Sequence, residues 1–375
     1  MEPNGVMPAA GENIYRIGDG SGSVEVGGIS GHRGVNQKFF FPRTPQPVIS
    51  VNPCALSKGA SSSQKVDRNL GRSINYYTWK ADANPRQTVV ELCEGSGEPP
   101  LIIIHGGLGS IHAFGPLKEK FRSALWAIQV TSDTPLNSLA NQATFYYNRI
   151  KEKQPTGPYR ICAFSASSII AFALAGLFEQ NHDLVSQLAL LDHFPTTFLA
   201  PTLGVDVSQR SLHDPRARKE FIDASVFNLI AMTRRDGGGN VPKRMKLAND
   251  LYDAYQGRPV TPFMETNHAT LIRFLNQIFD TLLSLTGDPG HSPSALTALE
   301  TWLQRVKAPL TVYLGTYGMV GSVLPEHHQM WYDLRIRKSF PHAEIKYVTA
   351  GHYDILSNDT VIEGLQRDVV TRAKM

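Results

Sequence analysis

One stretch limits what this chain can fold into more than any other: Tyr159-Arg160-Ile161-Cys162-Ala163-Phe164-Ser165-Ala166-Ser167-Ser168-Ile169-Ile170-Ala171-Phe172. A short apolar run enters a serine flanked by small residues, and a long apolar segment follows with no breaker before Gly176. The pattern predicts a strand, a sharp turn and a buried helix. The serine hydroxyl is pushed out of the sheet, with the helix N-terminus behind it. The usual signature of such a turn is G-x-S-x-G, whereas this chain has Ala163 and Ser167 at the outer positions. Both are small, as the close crossing of strand and helix requires, but neither has the backbone freedom of glycine.

Around that stretch the chain alternates strand and helix. Leu101 to Ile104 and Leu188 to Leu191 are continuous apolar runs of the kind buried on both faces of a parallel sheet. Thr88 to Leu92, Leu125 to Val130, Leu310 to Leu314 and Ile345 to Val348 read as further strands. Helices are expected over Phe114 to Phe121, Asn137 to Lys153, Ala295 to Val306, Met330 to Lys338 and Asn358 to Met375. Such alternation argues for a mostly parallel sheet with helices on both faces. Between about 203 and 290 the rhythm changes to three amphipathic stretches, Pro215 to Arg234, Val241 to Tyr255 and Pro262 to Leu285, which read as a helical lid. Their apolar faces, with Phe227, Ile230, Phe274 and Phe279, are expected to pack, some of them lining a channel. Residues 1–75 are crowded with Gly, Ser and Pro and read as an irregular extension ahead of a domain over 76–375. Within it, Val24 to Ile29 and Phe39 to Val51 are apolar islands able to pair as short strands.

Composition excludes several classes. The net charge of +4 is spread along 375 residues with no basic stripe, so nucleic acid is not an expected partner. No apolar stretch approaches membrane-spanning length, and no signal peptide is visible, so a cytoplasmic location is expected. Cys54, Cys93 and Cys162 are far apart and odd in number, which points to a reducing compartment and away from a disulfide framework or zinc site.

In open α/β sheets functional groups collect at the carboxyl ends of strands. Three such ends supply Ser165, Asp192 and His352, in the chain order of an α/β-hydrolase triad. A serine hydroxyl needs a base to take its proton, an imidazole titrates near working pH, and a carboxylate orients the ring. No metal or cofactor is required. Asp192 is the better acid because Gly315-Thr316-Tyr317-Gly318, after the next strand, has no carboxylate before Glu326; Asp354 is the remaining candidate. The glycine-rich turn after Ile104 is the natural second half of an oxyanion hole, the amide of Gly107 or Leu108 joining that of Ala166.

The segments Phe164-Ser165-Ala166, Leu190-Leu191-Asp192 and Gly351-His352-Tyr353 resemble type I thioesterase domains, which release products from polyketide synthases, nonribosomal peptide synthetases and animal fatty acid synthase. His105-Gly106-Gly107-Leu108-Gly109-Ser110 and Thr156-Gly157-Pro158-Tyr159-Arg160-Ile161 share the style, and the likeness covers roughly 88 to 375. It implies an α/β-hydrolase fold and an acyl chain delivered on the phosphopantetheine arm of a carrier protein, or as acyl-CoA, then passed to Ser165 and released by hydrolysis or cyclisation. A carboxylesterase or lipase with the same triad is the alternative enzyme. A non-catalytic binding protein is the alternative if Ala163 and Ser167 twist Ser165 out of reach of His352. His105 is expected to pack beneath the oxyanion turn, and His193 to be a polar residue at the pocket rim. His327-His328, Arg234-Arg235 and Lys243-Arg244 read as solvated groups, the basic pairs doubling as a possible patch for an acidic carrier.

Overall fold

The computed structural model describes residues 86–95, 98–202, 211–235, 241–287 and 294–372, with three short strands nearer the N-terminus. The chain divides into two units, Met1–Gly71 and Arg72–Met375. In the first, β1 (Tyr15–Ile17), β2 (Ser23–Val26) and β3 (Lys38–Phe40) form an antiparallel sheet. Val24 lies opposite Phe39, so the two apolar islands pair; Phe41 to Val51 lies outside the described residues.

The second unit is built on a seven-stranded sheet of β4 (Val89–Cys93), β5 (Leu101–Ile104), β6 (Leu125–Ile128), β7 (Tyr159–Phe164), β8 (Val185–Leu191), β9 (Leu310–Gly315) and β10 (Glu344–Val348). The strand order is β10-β9-β8-β7-β5-β6-β4, parallel throughout except that β4 runs antiparallel to β6. This is the α/β-hydrolase arrangement, and it puts the ends of β5, β7 and β8 side by side. Period-two alternation sorts the side chains of the central strands between two cores. Ile102, Ile104, Ile161 and Ala163 face one layer of helices, while Leu101, Ile103, Cys162 and Phe164 face the other.

Ten helices surround the sheet among the described residues: α1 (Gly115–Lys120), α2 (Leu139–Lys153), α3 (Ser168–Gln180), α4 (Ala217–Arg235), α5 (Val241–Tyr255), α6 (Pro262–Thr286), α7 (Ala295–Leu303), α8 (His328–Trp331), α9 (Ile336–Ser339) and α10 (Asp359–Arg372). Hydroxyl caps set several starts: Ser138, Thr261 and Ser294 accept from Asn141, Met264 and Thr297 amides at 3.1, 3.3 and 3.2 Å. Leu117 of α1 and Val361 and Leu365 of α10 pack on one face of the sheet; Tyr146 of α2, Phe172 of α3 and Leu299 of α7 pack on the other. The helix expected over Met330 to Lys338 is instead two short ones. Leu334 and Arg335 are left-handed (φ 53° and 62°), and Asp333 recaps the chain by accepting from the Arg335 and Arg337 amides at 2.9 and 3.1 Å.

The three helices α4, α5 and α6 between β8 and β9 form the lid. Its long helix is not a loose flap. Leu271, Phe274, Leu275, Ile278, Phe279 and Leu282 of α6 are buried, and each such side chain contributes about 1.5–3 kcal/mol.

Candidate active site

Ser165 stands immediately after β7 at φ +57°, opening the turn that feeds α3. That left-handed backbone costs a non-glycine residue roughly 1–2 kcal/mol, a strain typical of functional turns. The substituted elbow does not displace the serine. His352 Nε2 lies 2.8 Å from Ser165 Oγ, and His352 Nδ1 lies 2.7 Å from Asp192 Oδ2. A carboxylate only accepts, so Nδ1–H donates to Asp192 and Nε2 is left to accept from the serine hydroxyl. Phe164 stacks on the imidazole with ring centroids 4.9 Å apart, fixing its plane.

Asp192 follows β8, also left-handed at φ +50° and fully buried. A buried carboxylate is tolerated only when its oxygens are bonded. Oδ1 accepts from the Gly315 amide at 2.9 Å, and Oδ2 from the Met319 amide at 3.1 Å as well as from His352. The turn that supplies these amides must be bare at 315 and 318: a Cβ on Gly315 would fall 3.2 Å from Asp192 Oδ1, and one on Gly318 2.0 Å from Oδ2. Gly315-Thr316-Tyr317-Gly318 thus matters for its missing side chains, a role that its lack of a carboxylate hides. Asp354 begins the turn after His352 and lines the pocket, leaving the imidazole to Asp192.

The turn after β5 lies against the elbow. A Cβ on Gly106 would sit 3.7 Å from Ser165 Cβ, and one on Gly107 would sit 3.5 Å from Ala166 Cβ. Gly109 closes the turn through its amide to the Gly106 carbonyl at 3.0 Å; at φ +75° and with Thr270 2.7 Å from where a Cβ would be, only glycine fits. Gly107 therefore lies against Ala166, and Leu108 lines the same cavity as Ser165.

Two neighbouring histidines are buried. His105 Nδ1 is 2.6 Å from the Gly106 carbonyl, and Nε2 is 2.7 Å from Tyr146 Oη, which Gln142 Nε2 approaches at 3.0 Å. It does pack beneath the turn. Burial lowers its pKa to about 4. His193 is not at the rim: it is 1% exposed, bonded to Ser168 Oγ at 2.7 Å. Burial, then the nearby His352, lower its pKa to about 3. Next to the acid, the apolar run through Leu191 continues into a buried corner, so a polar residue there is enclosed as well. Tyr146 fits the apolar spacing of α2, so nothing in the sequence marks it or Gln142 as a partner of His105.

Above Ser165 opens a cavity of about 950 Å³ including its mouth. Its walls include Leu108, Ala113 and Phe164 from the body and Leu229, Leu247 and Phe263 from the lid. Phe227, Ile230, Phe274 and Phe279 pack against the core as expected and none of them lines the cavity, whereas Lys243 and Arg244, read as solvated, do line it. His328 is exposed, and among the described residues no group of His, Cys, Asp and Glu could hold a metal ion. Among them, too, no helix is long and apolar enough to cross a membrane.

Residues 99–232 match the family model of the thioesterase domain, so the likeness read from the sequence is borne out. A highly reducing polyketide synthase, stpks1, of Strobilurus tenacellus is 34% identical over 307 residues, 78% of this chain and 10% of that protein. The nonribosomal peptide synthetase pngA of Aspergillus terreus is 28% identical over 187 residues, 48% of this chain and 18% of that protein. This chain thus spans a tenth to a fifth of these relatives. Among solved structures, the NocB thioesterase domain in covalent complex with a fluorophosphonate nocardicin G analog aligns at TM-score 0.44 and 17% identity, covering 77% of this chain and 100% of that one. A Vlm2 thioesterase domain bound with a dodecadepsipeptide aligns at TM-score 0.43 and 16% identity, covering 76% and 97%.

Proposed function

We propose that this thioesterase-type chain is a serine thioesterase, with Ser165 as nucleophile, His352 as base and Asp192 as the orienting acid. The observation that carries the reading is the hydrogen-bonded chain from Ser165 Oγ through His352 to Asp192, 2.8 and 2.7 Å, at the floor of a largely apolar cavity. Ser165 Oγ attacks the thioester carbonyl as its proton passes to His352 Nε2. The amides of Ala166 and of Gly107 or Leu108 receive the developing oxyanion. The carbon–sulfur bond then breaks, and the thiolate leaves with the proton from His352. Water, or a nucleophile within the acyl chain, gives its proton to His352 and attacks the ester, restoring the Ser165 hydroxyl. Asp192 stabilises the imidazolium at both stages.

The substrate that fits is an acyl, polyketide or peptidyl chain on the phosphopantetheine arm of a carrier protein, a class supported by the synthases to which the chain is similar. Acyl-CoA presents the same arm. In this organisation residues 76–375 form the enzyme domain, with a lid over about 203–290 and an extension over 1–75. The test is a fluorophosphonate probe on the purified chain, with Ser165→Ala and His352→Ala as controls and the adduct mapped by mass spectrometry. Label on Ser165 that both variants lose, with acyl thioesters turned over far faster than matched oxygen esters, is the expected result. Preference for oxygen esters makes the protein an esterase, and an unlabelled, folded parent refutes the reading.

A further inference from the structure

The residue two after the nucleophile is a serine where the elbow signature has glycine, and another serine follows it. Both hydroxyls are bonded sideways. Ser167 Oγ lies 3.3 Å from His105 Nδ1, and Ser168 Oγ lies 2.7 Å from His193 Nδ1. All four side chains are at most 1% exposed. His105 directly follows β5 and His193 lies two residues after β8, and those two strands flank β7. One turn of chain behind Ser165 therefore reaches to both sides: to the turn that carries the Gly107 and Leu108 amides, and to the turn that carries Asp192.

The proton arrangement supports the pairing. The Gly106 carbonyl, 2.6 Å from His105 Nδ1, can only accept, so Nδ1 carries the hydrogen and Nε2 accepts from Tyr146. Ser167 Oγ is then a second acceptor beside that same N–H. A glycine at 167 would offer nothing there. His193 is joined to the adjoining left-handed Asp192, so its bond to Ser168 braces the corner in which the acid sits.

We propose that Ser167 and Ser168 are positioning residues, which lock the oxyanion turn through His105 and the acid corner through His193 into register with Ser165. The proposal rests on the thioesterase reading of the Ser165 site. It assigns different duties to adjacent hydroxyls. The imidazole of His352 is faced by Asp192 and Ser165 through hydrogen bonds and by the rings of Phe164 and Tyr353. Loosening Asp192 weakens the support of the imidazolium in the transition state, a loss read in kcat.

The experiment compares the full chain with Ser167→Gly, Ser167→Ala and Ser168→Ala on a soluble acyl thioester. Active sites are counted by exhaustive fluorophosphonate labelling, so that unfolded protein does not enter kcat. Ser167→Ala and Ser167→Gly should lower kcat about tenfold at unchanged KM, less than the roughly 10²–10³ lost with a whole oxyanion donor. Ser168→Ala should likewise lower kcat about tenfold at unchanged KM, because Asp192 then holds the imidazolium less firmly. Ser168→Cys keeps the volume and weakens the bond, and gives the same readout if the alanine chain does not fold. Variants within twofold of the parent in kcat overturn the proposal. A parent that neither labels at Ser165 nor turns over thioester overturns the thioesterase reading instead.

Discussion

At the strand ends the buried polar atoms are bonded: Asp192 accepts three hydrogen bonds, and both nitrogens of His352 are engaged. In the lid, Gln277 has both amide atoms buried with no partner, and Asn228 Oδ1 is in the same position. An unsatisfied buried group costs about 1–3 kcal/mol, so the two regions are held together on different terms. Strand ends are fixed by hydrogen bonds of one geometry. Lid helices are held by apolar packing, which tolerates several arrangements at similar cost. Fixed chemistry needs the first kind of support, and a cavity wall that must adapt to a bound molecule is better built by the second.

The largest expected effect breaks the bonded side of the comparison. Gly318→Ala drives a methyl into Asp192 and should lower kcat roughly 10³-fold, approaching the ~10⁴ lost when such an acid is replaced outright. Parent-like turnover by this variant would mean that the 315–319 turn does not hold the acid. Acid should damage the same region. His105 and His193 have folded pKa values of about 4 and 3 against 6.5 for a free histidine. The unfolded chain therefore takes up protons first as pH falls. The stability of keeping both rings neutral is complete above about pH 6.5 and drains away towards the folded values, at about 1.4 kcal/mol per unit for each ring. By pH 5 each should have cost about 2 kcal/mol, read as a lower urea midpoint than at pH 7.5; equal midpoints would deny the buried neutral state.

Effects on the lid should be smaller. Phe263, 44% exposed and edge-on to His112 across the cavity mouth, closes the roof. Phe263→Ala should raise KM for a long-chain acyl thioester about tenfold, a loss of ~1.4 kcal/mol of apolar contact, with kcat nearly unchanged; a fall in kcat instead would put the phenyl ring in the chemistry. Smallest of all, Gln277→Met should stabilise the chain by about 1 kcal/mol and shift its thermal midpoint upward. A destabilised variant would show that the amide has a use in the folded lid.

The same division governed what could be read from the sequence. Strand β5 and the Leu188–Leu191 half of β8 announce themselves as unbroken apolar runs, β7 is apolar but for Arg160, and Ser165, Asp192 and His352 sit at strand ends or just past the last strand, where topology leaves few alternatives. The three lid helices are legible from period and glycine breaks. What stayed hidden were partners defined only in three dimensions. Ser167 reads as a small residue until His105 is placed beside it, and Gly318 reads as a turn until Asp192 is. His193 looks like a rim residue because its neighbour is charged, yet it is sealed by Phe198, which only folding brings to it. The break at Leu334 was likewise missed, since Asp333, which caps forward onto the Arg335 and Arg337 amides, stands in a segment that otherwise reads as one helix.

Arg160 lies within β7 with its side chain entirely buried. Its guanidinium donates to Gln187 Oε1 at 2.9 Å, to the Pro99 carbonyl at 3.1 Å and to the Leu365 carbonyl at 2.7 Å. The last of these partners is more than two hundred residues downstream, in α10. Its counter-ion Glu98, 3.7 Å away, and the Pro99 carbonyl lie upstream, so during synthesis the charge is matched before one of its acceptors exists. Until α10 emerges, one N–H of a buried guanidinium lacks that acceptor, which disfavours early closure of this part of the core. The interval before that moment is when the apolar strands are most exposed to misassociation.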